Sequence, residues 1–183
     1  MHAPRTLPLQ ALTAEAFAPY GQVIAARPGV QSFAVNEGFA TRFHDLAHID
    51  VAEQGGAVCV SVFRATPRSL PLQLGVIERH PLGSQAFVAM SELPFLVVVA
   101  APSPQLEPDA LRCFLAQPGQ GVNYGRGVWH HPLIALQRPS DFLVIDRMGG
   151  TGAANLETVD VRAHGLWVDA PALEAGAAPA AGG

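Results

Sequence analysis

Glycine and proline punctuate this chain so densely that long helices are excluded: 18 glycines and 16 prolines divide it into short apolar runs. Runs of five to nine residues bounded by turn-forming residues are the pattern of strands in an all-β sandwich or barrel. The stretch Ala57–Ala65 shows the period most clearly. Val58, Val60 and Val62 fall on one face and Cys59, Ser61 and Phe63 on the other, as a pleated strand requires. Further strands are expected at 72–80, 85–90, 95–100, 111–116, 128–136 and 141–147, joined by Pro-Leu-Gly, Pro-Ser-Pro and Pro-Gly-Gln-Gly turns. Helix is confined to one short segment, with Thr13 as N-cap and Pro19 and Gly21 as its stop, and to a turn near 108–110.

Seven short strands suit a jelly-roll barrel whose mouth holds one small ligand. The length, 183 residues with 49% hydrophobic content, fits a single domain with a sizeable core. That domain is expected to span 1–169. Residues 170–183 are nearly all Ala, Gly and Pro and read as a disordered tail. A formal net charge of -4 gives no basic field for nucleic acid or an anionic membrane. No segment approaches the roughly 20 apolar residues of a membrane span. Cys59 and Cys113 match no disulfide or zinc spacing, which points to reduced thiols and a cytoplasmic location. All the basic side chains are arginines, and Arg64, Arg79, Arg112 and Arg147 lie inside apolar segments, where a planar guanidinium can grip a carboxylate.

Chemistry concentrates in two segments. In 78–85, Glu-Arg-His-Pro-Leu-Gly-Ser-Gln, Glu78 and His80 stand two apart and share a strand face. Pro81 and Gly83 then turn the chain, so Gln85 can return to that face. In 121–132, Gly-Val-Asn-Tyr-Gly-Arg-Gly-Val-Trp-His-His-Pro, the glycines permit a tight turn before a strand on which His130 and His131 face opposite ways. These spacings resemble the two cupin motifs, with Glu78, His80, Gln85 and His130 in the four ligand places. Glu78 stands where cupins commonly carry histidine, and Gln85 where they carry glutamate. Two imidazoles with a carboxylate suit a divalent transition metal. His131 divides evenly between a core hydrogen bond and a supporting role at the site. His44 and His48 read as structural or as interface residues.

Longer strings carry a more specific resemblance. ERHPLGSQAF (78–87), QGVNYGRGVWHHPL (120–133) and DFLVIDR (141–147), supported by LTAEAFAPYGQVI (12–24), RFHDLA (42–47) and SVFRATPRSLPL (61–72), resemble the hallmark segments of the ureidoglycolate lyase family, also called ureidoglycolate hydrolase. The resemblance implies an all-β cupin-type double-stranded β-helix acting as a homodimer in the cytoplasm. It implies cleavage of (S)-ureidoglycolate to glyoxylate and urea in allantoin degradation, with nickel as the metal. That substrate carries a carboxylate, a hydroxyl and a ureido nitrogen on one carbon. Its cleavage needs a base for the hydroxyl proton, an acid for the departing nitrogen and a grip on the carboxylate. His80 or Glu78 is the candidate base, His130 the candidate acid and Arg64 the candidate grip. Gln85, Asn123, Tyr124 and Trp129 are candidate substrate contacts.

Three other readings stay open from sequence. An amidohydrolase acting on the same substrate would release ammonia in place of urea. A cupin oxygenase or isomerase would hold iron or manganese. A non-catalytic cupin would bind a small molecule without turnover, although no output module accompanies the barrel.

Overall fold

The computed structural model describes residues 3–150 and 155–171. The expected architecture is present: the chain is all-β and cupin-like, two sheets closing on each other with one short α-helix. One sheet runs in the order Glu157–Asp160, Val76–Arg79, Trp129–His130, Phe95–Ala100, Arg112–Ala116, Leu9–Ala11, with Ile134–Ala135 also pairing onto Phe95–Ala100. The facing sheet runs Gly21–Ile24, Gly121–Tyr124, Gln85–Ala89, Ser140–Met148, Ala57–Ala65. From Val76 onward the strands pass back and forth between the two sheets.

Alternation explains the layers. Phe95, Val97 and Val99 point between the sheets, where they meet Phe87, Phe114, Val122, Phe142 and Val144. Leu96, Val98 and Ala100 point the other way, into a second core with Leu74, Ile77, Cys113 and Trp129. Leu166 and Val168 of a small third sheet help close that second core. Phe95–Ala100 is therefore buried on both faces, and its continuous apolar sequence records that. Burial pushes the Cys113 thiol up to about 12, as expected of an inert core cysteine.

The short helix Ala14–Phe17 forms where expected. Thr13 Oγ1 accepts from the Ala16 amide at 3.1 Å. Its one buried side chain, Phe17, packs edge-on against Phe114 at 5.6 Å between centroids and reaches Tyr124 at 6.3 Å. The helix thus stoppers one end of the inter-sheet core directly behind the second motif.

Two expected strands are interrupted. The run 72–80 divides into Leu72–Gln73 and Val76–Arg79, and 128–136 into Trp129–His130 and Ile134–Ala135. Gly121–Tyr124, read from its glycines as a turn, is a strand at the centre of its sheet. A Cβ on Gly121 would lie 2.6 Å from the Phe87 carbonyl oxygen, so this glycine serves close strand approach. Ala170 is fully buried, so packed chain continues past the expected boundary at 169. Residues 172–183 of the expected tail lie outside the described residues. No helix among the described residues is long and apolar enough to cross a membrane.

Candidate active site

Two register choices build the site. His130 pairs directly opposite Glu78, and Tyr124 pairs opposite Gln85 in the facing sheet. Cross-strand partners share a face, so all four belong to the inter-sheet space. His80 follows Glu78 at the strand end, with its ring 5.2 Å from that of His130. Tyr124 stacks on His130 with centroids 4.5 Å apart and planes at 24°.

The hydrogen bonds fix what each imidazole presents. His80 Nδ1 lies 2.7 Å from the Asn155 carbonyl and His130 Nδ1 lies 3.0 Å from the Val128 carbonyl. A carbonyl can only accept, so both Nδ1 atoms carry the proton and both Nε2 atoms offer lone pairs. Those two Nε2 atoms are buried and have no hydrogen-bond partner among the described residues. Glu78 Oε1 approaches His130 Nε2 at 3.5 Å. Ligand atoms of Glu78, His80 and His130 all lie within 4.8 Å of one another. Three electron-pair donors converging with no donor hydrogen between them among the described residues suit a cation, and two imidazole nitrogens with one carboxylate fit a divalent transition metal.

Gln85 is held alongside. Its Nε2 donates to Asp146 Oδ2 at 3.3 Å, and its buried Oε1 has no partner. Burial pushes the Glu78 carboxyl up, but His130, His80 and His131 together outweigh it and leave the group below its ordinary value. Burial, reinforced by His130, holds the His80 imidazolium below its ordinary value against the Asn155 carbonyl and Glu78, so the ring is neutral at pH 7. Burial, with Glu78 adding to it, raises the Tyr124 phenol, which therefore keeps its proton.

Glu78 and Gln85 line a cleft of about 400 Å³ whose walls include Phe63, Phe87, Pro132 and Leu133. The remaining sequence candidates are placed as follows. Asn123 pairs with Ala86 on the opposite face of its strand and donates Nδ2 to Gln22 Oε1 at 2.7 Å and to the His48 carbonyl at 3.0 Å. Trp129 points into the second core, stacked beneath the Arg79 guanidinium at 4.5 Å, with Nε1 donating to Ser103. Arg64 shares the outer face with Val62, and Asp141 accepts both Nε and Nη2 at 2.8 and 2.9 Å. The structure therefore brings together Glu78, His80, Gln85, Tyr124 and His130, directs Asn123 and Trp129 elsewhere, and leaves Arg64 at the cleft with its guanidinium paired to Asp141. His131 is buried, with Nδ1 on the Pro132 carbonyl, and burial also holds its imidazolium low. Asp146 and Arg147 do not pair with each other: Asp146 accepts from Gln85, while Arg147 donates to the carbonyls of Gly149 and Glu53.

Asp146, on the inward face opposite Cys59, supports the site through Gln85. One residue at the cleft escaped the sequence reading. Arg68 lines the cleft from a loop, where strand alternation offers no signal.

Comparison with known proteins agrees with the sequence resemblance. Residues 4–168 match the family model described as ureidoglycolate lyase. A protein of Burkholderia mallei (strain NCTC 10229) named ureidoglycolate lyase is 49% identical over 169 residues, covering 92% of this chain and 96% of that one. Proteins of the same name from Burkholderia cepacia and Pseudomonas syringae pv. syringae are 52% and 48% identical over 143 and 145 residues. These alignments cover 78% and 79% of this chain, and 80% and 85% of theirs. Among solved structures, an oxalate decarboxylase of Bacillus subtilis matches with a TM-score of 0.35 and 13% identity, over 57% of this chain and 24% of that one. A match that partial carries no argument about the site.

Proposed function

The chain belongs to the ureidoglycolate lyase family, and from that premise we propose that it splits ureidoglycolate into glyoxylate and urea at the Glu78, His80 and His130 cluster, as a cytoplasmic step of allantoin degradation. The observation that carries this placement is the convergence of the Glu78 carboxylate with two unpartnered imidazole nitrogens, where Glu78 lines the cleft. Two free cysteines, Cys59 and Cys113, agree with a reducing compartment.

Glu78, His80 and His130 would hold a divalent transition-metal cation, with nickel as the ion that the family resemblance implies and Gln85 Oε1 turned to the same cleft. Such an ion would supply Lewis acidity for the substrate's hydroxyl oxygen. The chain's own groups supply the proton movements. The Glu78 carboxylate, or a neutral His80 Nε2 where no ion engages it, accepts the hydroxyl proton. Where no ion engages it, His130 Nε2, 3.5 Å from Glu78, relays that proton to the departing ureido nitrogen, and the carbon–nitrogen bond opens as the carbonyl forms. Tyr124 holds the His130 ring in place by stacking, and Phe63 and Phe87 keep the cleft wall dry.

The decisive assay is release of urea and glyoxylate from racemic ureidoglycolate, corrected for spontaneous decay. Equimolar urea and glyoxylate are expected. Ammonia in place of urea would move the chain to amidohydrolase chemistry. Treatment with a chelator should lower turnover by about tenfold or more, and nickel should restore it. Full activity in metal-free protein would leave the three side chains working through protons alone.

We also propose that the protein is a homodimer through the outer face of the five-stranded sheet. The edge strand Ala57–Ala65 leaves Val58, Val60 and Val62 exposed at 52%, 63% and 57%, beside Leu143 and Ile145 of the neighbouring strand. A nine-residue apolar edge invites pairing unless a partner covers it. Val60→Asp should shift sedimentation from twice the 19.2-kDa chain mass toward the monomer. An unchanged sedimentation coefficient would place the dimer contact elsewhere.

A further inference from the structure

We propose that Arg68, which no sequence motif singled out, is the residue that anchors the substrate's carboxylate, and that it sets the enzyme's requirement for a small 2-hydroxy acid. The inference rests on the lyase reading for the identity of that acid, but the anion site itself follows from the cleft.

Arg64, the arginine that the sequence favours, is occupied. Strand alternation puts it on the outer face, and Asp141 takes two of its guanidinium donors. A bidentate carboxylate leaves little charge free for a second one. Arg64 and Arg68 both line the cleft with Glu78 and Gln85, but of the two only Arg64 is taken by a carboxylate. The Arg68 backbone amide donates to the Ala135 carbonyl at 3.0 Å, tying this loop to the inner sheet. Its guanidinium has no hydrogen-bond or ion-pair partner among the described residues.

The cleft is thus polarised. An unneutralised cation stands on one side, three electron-pair donors converge at the other end, and Phe63, Phe87 and Leu133 lie among the walls. A small molecule with a carboxylate at one end and a hydroxyl on the adjacent carbon matches that order, with the carboxylate toward Arg68 and the reacting carbon toward Glu78. A neutral analogue, such as the amide of the same acid, forfeits the charge-assisted pair.

The test combines kinetics with direct binding. Arg68→Ala should raise KM for ureidoglycolate by about 10- to 100-fold, the range for losing one charge-assisted hydrogen-bonded pair, with kcat changed by less than about threefold. Arg68→Lys should recover part of the loss, and added guanidinium ion should partly rescue Arg68→Ala. Titration calorimetry with glyoxylate should show a weakening of about tenfold or more in Arg68→Ala, whether or not urea is formed. If the wild-type protein releases no urea, the lyase reading fails, and the glyoxylate titration still decides the anion site. An unchanged KM and unchanged glyoxylate affinity in Arg68→Ala would overturn the proposal, as would an equal or larger effect from Arg64→Ala.

Discussion

Glu78→Gln should lower turnover by about 10³-fold while leaving the protein folded, the largest functional effect expected of any single substitution in this chain. The change is nearly isosteric, so the strand pairing with Trp129–His130 persists. What disappears is the negative charge between two imidazoles. On the proposed reading that charge would do two things: complete the three-donor cluster for a divalent ion, and take up the substrate's hydroxyl proton 3.5 Å from His130 Nε2. Both routes to bond cleavage pass through it. His130→Asn should be comparably damaging, because it removes an Nε2 donor oriented by the Val128 carbonyl and the stacking surface of Tyr124. Bound metal, measured by elemental analysis, should fall with activity in both variants, while thermal melting stays within a few degrees of wild type. Turnover within tenfold of wild type in Glu78→Gln would remove Glu78 from the chemistry altogether.

That a carboxylate and two histidines would meet was legible because strand alternation is rigid. Glu78 and His80 are two apart, His130 and His131 are one apart, and these separations decide faces without any knowledge of the third dimension. The same rule, applied through cross-strand register, separates Tyr124 from Asn123 and His130 from Trp129. Register is the piece that one strand's sequence lacks. Without it, Tyr124 and Asn123 look equally suited to the cleft, although Asn123 pairs with Ala86 and Tyr124 with Gln85. Arg64 shows the same limit. Its position after Phe63 places it opposite the cleft wall, but which face of Ala57–Ala65 turns inward depends on pairing to Ser140–Met148.

Arg68 and the strand Gly121–Tyr124 were illegible for other reasons. Arg68 lies in a proline-flanked loop, where no period relates one side chain to the next. Gly121–Tyr124 carries the glycine signal of a turn, yet Gly121 is there because the Phe87 backbone passes too close for a side chain. The apolar outer face of Ala57–Ala65 presents a third case: its alternation is plain, but the exposed side is as hydrophobic as a core side. A second copy of the chain covering that face would reconcile the pattern with solubility.

Gly21→Ala should cost about 4 kcal/mol of stability, combining backbone strain with overpacking. Gly21 sits at φ +140°, where residues with a Cβ are rarely found, and an added Cβ would fall 1.9 Å from the Asn123 carbonyl oxygen. Its cross-strand partner is Tyr124, so neither strand can relax without moving the ring that stacks on His130. The melting temperature should fall by roughly 10 °C or more, from about 2–4 °C per kcal/mol in a domain of this size. Gly119→Ala is the appropriate comparison. It also has a positive φ, +79°, but nothing lies within 4 Å of its added Cβ, so its cost should be the backbone preference alone, about 1 kcal/mol. The gap between the two variants measures how tightly Gly21–Ile24 is clamped against Gly121–Tyr124. A Gly21→Ala protein that folds should also lose turnover, because Tyr124 must move with its strand, while Gly119→Ala should keep it. Equal melting temperatures in the two variants would mean that the Gly21 strand yields easily and that the Tyr124 stack is not held from behind.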